Sequence, residues 1–263
     1  MSLAIIIPLK SRLVASNWEV TCRNLRRTLI SLSQQTDRNF SAVVVGHEKP
    51  KFLEDSCQLF SGIEFVSLSE LRPPELTNDR AFNQLLYERD RCSKILKGVQ
   101  FLRSLYEGVE RWYALDADDL IHRDFVKEIN KVKGAEAIVL NRGYVYYRSS
   151  GIFNRENEFS LYCGSSSILS DGLLGSCSEL NSDSYKHFMF GAIPHTNMMI
   201  HCQKHNLKVY VPSERLVMYC RDNGENISAE TRSNSILYQS KRFIKMNVKA
   251  IWFTRAIKRD FGL

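Results

Sequence analysis

Three carboxylates stand within four residues at the end of a short apolar run. The run Trp112–Leu115 is followed by Asp116, Asp118 and Asp119. Carboxylates this close repel one another unless a cation lies against them, and oxygen ligands suit Mg²⁺ or Mn²⁺ ions that keep part of their coordination shell for phosphate. Solvated turns rich in Asp are also common. Because ligands of open α/β sheets gather beyond the carboxyl ends of strands, we interpret Asp116, Asp118 and Asp119 as metal ligands.

The first half of the chain shows the apolar periodicity of alternating strands and helices. Leu3–Ile7 is a continuous β-branched run stopped by Pro8, which indicates a strand buried on both faces. A helix capped by Ser16 or Asn17 follows, with its apolar residues spaced by four and three: Trp18, Cys22, Leu25, Leu29 and Leu32. Phe40–Val45 is the next buried strand, so the sequence predicts a βαβ unit.

The later elements divide into two groups. Ile63–Val66 is predicted as a strand, 52–60 as a short helix, the stretch around Cys92–Leu102 as a long helix, and Asp124–Val132 as a further helix. In the second half, the predicted strands 137–140 and 144–148 could pair antiparallel. A Gly- and Ser-rich loop region follows them at 164–184. We predict an α/β fold, a doubly wound, mostly parallel central sheet with a smaller antiparallel and loop-rich C-terminal half.

Composition indicates one ordinary globular domain with a C-terminal appendage. The chain has 263 residues, 44% hydrophobic and 25% charged, with a net charge of +7. Its longest apolar run is too short to span a bilayer and no leader pattern is visible, so we expect a cytoplasmic protein. Seven scattered cysteines without a CxxC pair indicate reduced thiols. His201, Cys202 and His205 could approach one another on a helix, but a polar helix face is favoured over a zinc site.

The positive charge is concentrated in the C-terminal tail. Residues 241–263 hold seven basic residues and one acidic residue, interleaved with apolar side chains. We predict a basic amphipathic helix over 236–263, either docked on its own domain or in peripheral contact with the inner face of a membrane. A nucleic-acid or membrane-surface module acting through this tail is an alternative reading, although the acidic cluster argues against a nucleic-acid partner in the main cleft.

The chain resembles GT-A type glycosyltransferases, in particular the family 2 group. The resemblance lies in five segments: Ile5–Pro8, Leu29–Thr36, Phe40–Val45, Leu115–Asp119 and Tyr219–Ser228. It implies a GT-A, or nucleotide-diphospho-sugar transferase, fold with domain boundaries at 1–120 for the nucleotide half and 121–235 for the acceptor half. It further implies a UDP- or GDP-sugar donor, a Mn²⁺ or Mg²⁺ cofactor, and a glycan or lipid-linked acceptor in polysaccharide biosynthesis.

The resemblance also suggests residues that contact the substrate. Asp116 is expected at the ribose, and a metal held by Asp118 or by Asp119, which we count among the catalytic residues, would neutralise the leaving diphosphate. Further contacts are expected from loops and from the helix before the Asp strand: Pro8, Lys10, Glu48, Arg91 and Lys94. Glu48 stands in for an acidic residue that the family places sooner after the second strand.

The match is weaker at the C-terminal end of the site and for the catalytic base. Where the family has a histidine that completes the metal shell, this chain has Asp222 and Asn223, and His195 could approach from elsewhere. An inverting enzyme needs a carboxylate base, for which Asp171, Glu179 and Asp183 are candidates and Asp183 is favoured. We expect an inverting hexosyltransferase, although a retaining enzyme would need no such base. A nucleotidyltransferase on a similar sheet is the other enzymatic alternative.

Overall fold

A fully buried strand, β1 (Leu3–Pro8), lies in the middle of the larger of two sheets. The computed structural model describes residues 2–54, 60, 62–175, 180–181, 183–225, 250–252 and 254–263. The larger sheet has the order β10-β6-β9-β4-β1-β2-β3. Its other strands are β2 (Phe40–Gly46), β3 (Ile63–Ser67), β4 (Arg111–Ala114), β6 (Ala137–Val139), β9 (Ser167–Ser170) and β10 (Val209–Tyr210). Only β9 runs antiparallel to its neighbours.

Helices cover both faces of this sheet. The described helices are α1 (Trp18–Ser33), α2 (Arg80–Leu105), α3 (Phe125–Lys131), α4 (Asp171–Leu174), α5 (Met189–Ala192), α6 (Met198–Lys204) and α7 (Arg255–Asp260). Helices α1 and α3 pack with Leu3, Ile5 and Ile7, while α2 packs with Ala4 and Ile6 on the opposite face. Because successive residues of a strand point to opposite faces, β1 has a core on each side.

A second, four-stranded sheet has the order β5-β11-β7-β8. Its strands are β5 (Leu120–Ile121), β7 (Gly143–Tyr147), β8 (Ile152–Glu156) and β11 (Val217–Arg221). Strand β5 begins one residue after Asp119, so the acidic cluster joins the two sheets. The structure confirms the predicted α/β class, with a mostly parallel central sheet and a smaller second half.

Most predicted elements of the first half are present within a residue or two of their expected ends. Asn17 caps α1, since its Oδ1 accepts from Val20 N at 3.2 Å, and Asp124 stands at the start of α3. Of the short helix predicted at 52–60, the structure has a 3-10 helix at Lys51–Leu53, and residues 55–59 lie outside the described residues.

Two expectations for the second half are wrong. Strands β6 and β7 do not pair, because β6 joins β9 and β10 in the larger sheet, whereas β7 joins β8 and β11 in the other. The Gly- and Ser-rich region is not all loop, since it contains β9. That strand is buried between β4 and β6, where its backbone completes two ladders of hydrogen bonds. Backbone pairing, which serine permits, outweighs the loop tendency of its composition.

The described part of the C-terminal tail packs on the second sheet. Ile251 N donates to Phe153 O at 2.9 Å, and Phe261 is buried against Tyr144 and His122. Helix α7 is shorter than the helix predicted over 236–263, of which residues 236–249 and 253 lie outside the described residues. Among the helices described, none combines the length and apolarity that crossing a bilayer demands.

Gly98 allows α2 to lie close to the larger sheet. A Cβ atom at this position would stand 2.5 Å from Ile6 Cγ2 and 3.2 Å from Val43 Cγ1. Both neighbours belong to the buried core and have little room to move. We predict that Gly98→Ala destabilises the protein by about 1–3 kcal/mol through overpacking, despite alanine's better helix propensity.

Chemical denaturation would measure this change in the free energy of unfolding. Gly172→Ala is the matched control, because Gly172 is also helical and a Cβ there meets nothing within 4 Å. If Gly98→Ala were as stable as the parent protein, α2 would not be held at this distance by the missing side chain.

Candidate functional site

A cavity of about 200 Å³ opens at the carboxyl ends of β1 and β4. Its walls come from the segments after these strands, from α1 and α2, and from the region of β11. The lining residues are Pro8, Leu9, Lys10, Thr21, Asn24, Tyr87, Asp90, Arg91, Lys94, Asp116, Ala117, Asp118, Tyr219 and Glu225. Six residues predicted from sequence therefore meet in one cavity: Pro8, Lys10, Arg91, Lys94, Asp116 and Asp118.

An ion pair between Arg91 and Asp116 spans one wall of the cavity. Arg91 Nε donates to Asp116 Oδ1 at 2.8 Å, and both side chains are about a quarter exposed. Gly164 makes room for the pair, because a Cβ atom there would lie 2.6 Å from Asp116 Oδ2 and 2.9 Å from Arg91 Nη2. The Asp116 backbone N–H donates to Ser165 Oγ at 2.9 Å, which fixes the start of the acidic turn.

Asp118 also lines the cavity, beside Asp116. Its Oδ2 accepts a hydrogen bond from Asn223 Nδ2 at 2.7 Å. Burial, and next the negative charge of Asp116, raise the pKa of Asp118 to about 6. Because Asp116 and Asp118 face the same cavity and the charge of Asp116 disfavours the ionised form of Asp118, a cation would stabilise the pair.

Asp119 faces the protein interior and does not line the cavity. Its Oδ2 accepts from Ser165 Oγ at 2.7 Å and Cys163 Sγ at 3.1 Å, and its Oδ1 accepts from Cys220 N at 3.1 Å. The side chain is fully buried, and burial followed by the charges of Asp118 and Asp116 raises its pKa well above the usual value. This placement differs from the prediction of Asp119 as a catalytic metal ligand, because three hydrogen-bond donors hold its carboxyl group in the interior.

The donor set of the cavity fits a divalent cation held by two carboxylates. In the described part of the chain, no three His, Cys, Asp or Glu side chains are arranged as a metal-binding group. Mg²⁺, however, is commonly held by one or two carboxylates together with substrate phosphates and water. Asp116 and Asp118 supply such a pair, so the residues present fit a cation that arrives with a phosphorylated ligand.

Glu225, which the sequence did not single out, closes the cavity opposite the acidic turn. Its Oε2 accepts from Lys10 Nζ and from Ser16 N, both at 3.1 Å, and its Oε1 accepts from Asn17 N. Lys10 Nζ also donates to Glu225 O at 2.9 Å. Glu225 therefore ties the segment after β11 to the start of α1. Glu225 lies two residues after Asn223, but this spacing indicates a role in the cavity only once the fold is known.

Lys94 and His47 share the carboxylate of Asp90 at the end of the cavity near β2. His47 Nε2 lies 2.8 Å from Asp90 Oδ1, and Lys94 Nζ donates to Asp90 Oδ2. Burial raises the pKa of Asp90, but the hydrogen bonds from His47 and Lys94 outweigh it and lower the pKa. Lys94 is 1% exposed, so its ammonium is committed to this network and supports the wall of the cavity.

Three other predicted residues, Glu48, Asp183 and Asp222, lie outside the cavity lining. Glu48 accepts from Ser11 Oγ at 3.2 Å and Arg12 N at 3.0 Å, which anchors the loop after β1. Asp183 is 63% exposed and paired with Lys186. Asp222 has a φ of +54°, and its neighbour Asn223 is the residue that contacts Asp118.

His195 does come close to the predicted cluster. It begins a 3-10 helix at His195–Asn197, and its ring interacts electrostatically with Arg91 and Asp116. Burial and the charge of Arg91 lower its pKa, which leaves the imidazole neutral near pH 7. Of the other base candidates, Asp171 accepts from Trp112 Nε1 at 2.8 Å and from Arg103 Nη2 at 2.6 Å, and Glu179 lies outside the described residues.

No protein family profile matches the chain, and no curated protein matches it in sequence. Among solved structures it is similar to S. aureus TarS 1–349, with a TM-score of 0.48 and 11% identity over 84% of this chain and 60% of that one. A second S. aureus TarS structure has a TM-score of 0.42 and 12% identity, over 97% of this chain and 44% of that one. A proposed nucleotide-diphospho-sugar transferase from Desulfovibrio desulfuricans G20 has a TM-score of 0.39 and 10% identity, over 96% of this chain and 100% of that one. The chain thus spans less than two thirds of either TarS chain.

The raised pKa of Asp118 predicts a pH-dependent stability. An unfolded Asp ionises near pH 4, whereas Asp118 in the folded protein ionises near pH 6. Between these values the folded state binds more protons, so the contribution of Asp118 to stability is complete below about pH 4 and is lost as the pH rises through about 6. Asp118→Asn removes this dependence while keeping an oxygen for Asn223.

Chemical denaturation of the parent protein and Asp118→Asn in EDTA across pH 4–7 would test the direction of this pH dependence. The free energy of unfolding of the parent protein, relative to Asp118→Asn, should fall as the pH rises. A difference that is flat or that grows with pH would contradict the described environment of Asp118.

Proposed function

We propose that this chain transfers a sugar from a UDP- or GDP-sugar to a hydroxyl group of a glycan or lipid-linked acceptor, with Mn²⁺ or Mg²⁺ as cofactor. One observation supports the proposal above the others. A single cavity at the carboxyl ends of two parallel strands holds basic side chains from β1 and α2 against a pair of carboxylates from β4. This combination suits a diphosphate that carries a divalent cation.

Arg91 is the residue best placed for the diphosphate. Its Nε is occupied by Asp116, while the two Nη groups extend the planar donor fork that matches phosphate oxygens. Lys10 adds a second positive charge at the end of β1, where Pro8 and Leu9 form the wall. A bound diphosphate would therefore meet a guanidinium already oriented by its carboxylate partner.

Asp116 and Asp118 would hold the cation and the ribose. Asp116 comes first after the strand, which suits the ribose hydroxyls, while Asp118 lies farther along the turn beside Asn223. When bound, a divalent cation stabilises the negative charge that develops on the departing nucleoside diphosphate. Asn223 orients Asp118, and Asp119 fixes the turn from behind.

The acceptor would approach from the side of the second sheet, where Tyr219 and Glu225 line the cavity. Both oxygens of Glu225 accept hydrogen bonds, so its role is to hold the loop in place. The predicted base, Asp183, is exposed and outside the lining, which does not support it in that role. His195 is also outside the lining, but its imidazole is neutral and interacts electrostatically with Asp116, so we take it as the candidate that accepts the proton.

We predict that UDP or GDP with MnCl₂ raises the melting temperature of the protein. Saturation at about 100 times Kd contributes about 2.7 kcal/mol, which is several degrees for a chain of this size. Asp118→Asn should abolish the metal-dependent part of this shift and lower the rate of nucleoside diphosphate release from the matching donor by about 100-fold or more.

Glu107→Gln is the matched control, because Glu107 is an exposed carboxylate at the opposite end of β4. It should keep both the shift and the turnover. Release of pyrophosphate in place of nucleoside diphosphate would show a nucleotidyltransferase. The absence of any shift with a folded protein would exclude a nucleoside diphosphate ligand.

A further inference from the structure

Four arginines from α1 and from the ends of β7 and β11 lie near the cavity residues Asn24 and Tyr219. Arg23 and Arg27 are one helical turn apart on α1, Arg148 follows β7, and Arg221 ends β11. The backbone N–H of Arg148 donates to Arg221 O at 2.9 Å, so the two strands present them together. Arg27 interacts electrostatically with both Arg23 and Arg148. We call these four residues the arginine cluster.

The arginine cluster contains buried donors that lack an acceptor. Arg148 Nη1 donates to Asn24 Oδ1 at 2.7 Å. In the part of the chain that the structure describes, four nitrogens are buried without a nitrogen or oxygen acceptor, although the Cys220 thiol interacts with the Arg148 side chain: Arg148 Nε, Arg148 Nη2, Asn24 Nδ2 and Arg221 Nε. Buried donors are normally satisfied, and each exception indicates a missing partner such as water or a ligand group.

The charge of the arginine cluster is also poorly balanced. Among the described residues, no carboxylate lies within ion-pair distance of any of the four guanidinium groups. The Cys220 thiol lies beside Arg148, but burial raises its pKa to about 12, so it is neutral. Asp118 attracts Arg148 from the cavity side without an ion-pair contact. Burial and the neighbouring arginines lower the pKa of Arg27, as expected for crowded like charges.

Two residues connect the arginine cluster with the cavity. Asn24 lines the cavity and accepts from Arg148, and Tyr219 lines the cavity with Arg221 stacked 5.5 Å from its ring centroid. Arg221 Cζ also lies 5.8 Å from the ring centroid of Tyr147. A ligand that extends from the cavity past Asp118 would therefore reach the arginine cluster directly.

We infer that the arginine cluster binds a phosphate or carboxylate group of an anionic glycan acceptor. Guanidinium groups recognise both anions through paired N–H donors, and Arg148 has such a pair, Nε and Nη2, without a nitrogen or oxygen acceptor among the described residues. The cluster lies on the α1 side, whereas Arg91 and Lys94 lie on α2, so a donor diphosphate held by α2 leaves it available. That the anion belongs to the acceptor rests on the function proposed above. Arg23 and Arg27 are exposed whereas Arg148 and Arg221 are partly buried, so a group that contacts all four must enter a recess, which suits a flexible glycan better than a flat lipid surface.

Calorimetric titration of the full chain with glucose 6-phosphate, glucuronate and neutral glucose would test this inference. We expect the parent protein to bind the two anionic probes more tightly than glucose. Arg27→Gln, at an exposed position that should not perturb folding, is expected to weaken this binding roughly tenfold, as for loss of one charge-assisted contact. Arg148→Lys, which keeps the charge but loses the fork, should weaken it as well.

One control variant makes the result specific. Arg26→Gln removes an exposed arginine that precedes Arg27 by one residue and therefore faces a different side of the same helix, so it should leave binding unchanged. Equal losses in Arg26→Gln and Arg27→Gln would overturn the inference.

The remaining outcomes separate this inference from the proposed function. If no probe binds better than glucose, or if Arg27→Gln affects only binding to phosphatidylglycerol vesicles relative to phosphatidylcholine vesicles, the glycan site is refuted. If the probes bind as expected while no nucleoside diphosphate does, the arginine cluster stands as an anion site and the donor assignment fails.

Discussion

The buried carboxylate of Asp119 is the interaction on which the site depends. It accepts hydrogen bonds from the turn before β9 through Ser165 and Cys163, and from β11 through the backbone of Cys220. One side chain thereby joins the end of β4 to a strand of each sheet. Removing either partner would leave a buried charged or polar group unsatisfied, which is among the most destabilising single changes in a protein. Asp116 and Asp118 face the cavity instead, where Arg91 and Asn223 donate hydrogen bonds to them.

The cavity is organised as a set of ion pairs that a ligand could rearrange. Arg91 is paired with Asp116, Lys10 with Glu225, and Lys94 with Asp90. Since each of these cations already has a partner, the side chains are oriented before a ligand arrives, and little side-chain entropy would be lost on binding. Two places depart from this balance. The Asp116 and Asp118 pair carries excess negative charge, and the arginine cluster carries excess positive charge, so a ligand that combines a cation with anionic groups matches both.

Local sequence patterns were sufficient for the elements of the first half. The β-branched run of β1, the spaced apolar residues of α1 and the Asn17 cap act through contacts within a few residues, and the structure has all three. The same local information did not fix the partners of β6 and β7. Which strands pair depends on segments that are distant in sequence. Strand β9, whose serines are typical of loops, lies between β4 and β6 and pairs with both. Local propensity has little influence where a buried backbone must complete its hydrogen bonds.

The sequence by itself determined where a site would form, because parallel strands bring their carboxyl ends to one edge and the acidic cluster follows such an end. It could not determine which of the three carboxylates faces outward, since Asp118 and Asp119 are adjacent and their directions depend on Asn223 and on Ser165, 105 and 46 residues away. Glu225 and the arginine cluster likewise arise from segments that meet only in the folded chain. Local periodicity is a property of neighbouring residues, whereas the sharing of one buried carboxyl group by three distant segments is decided by tertiary structure alone.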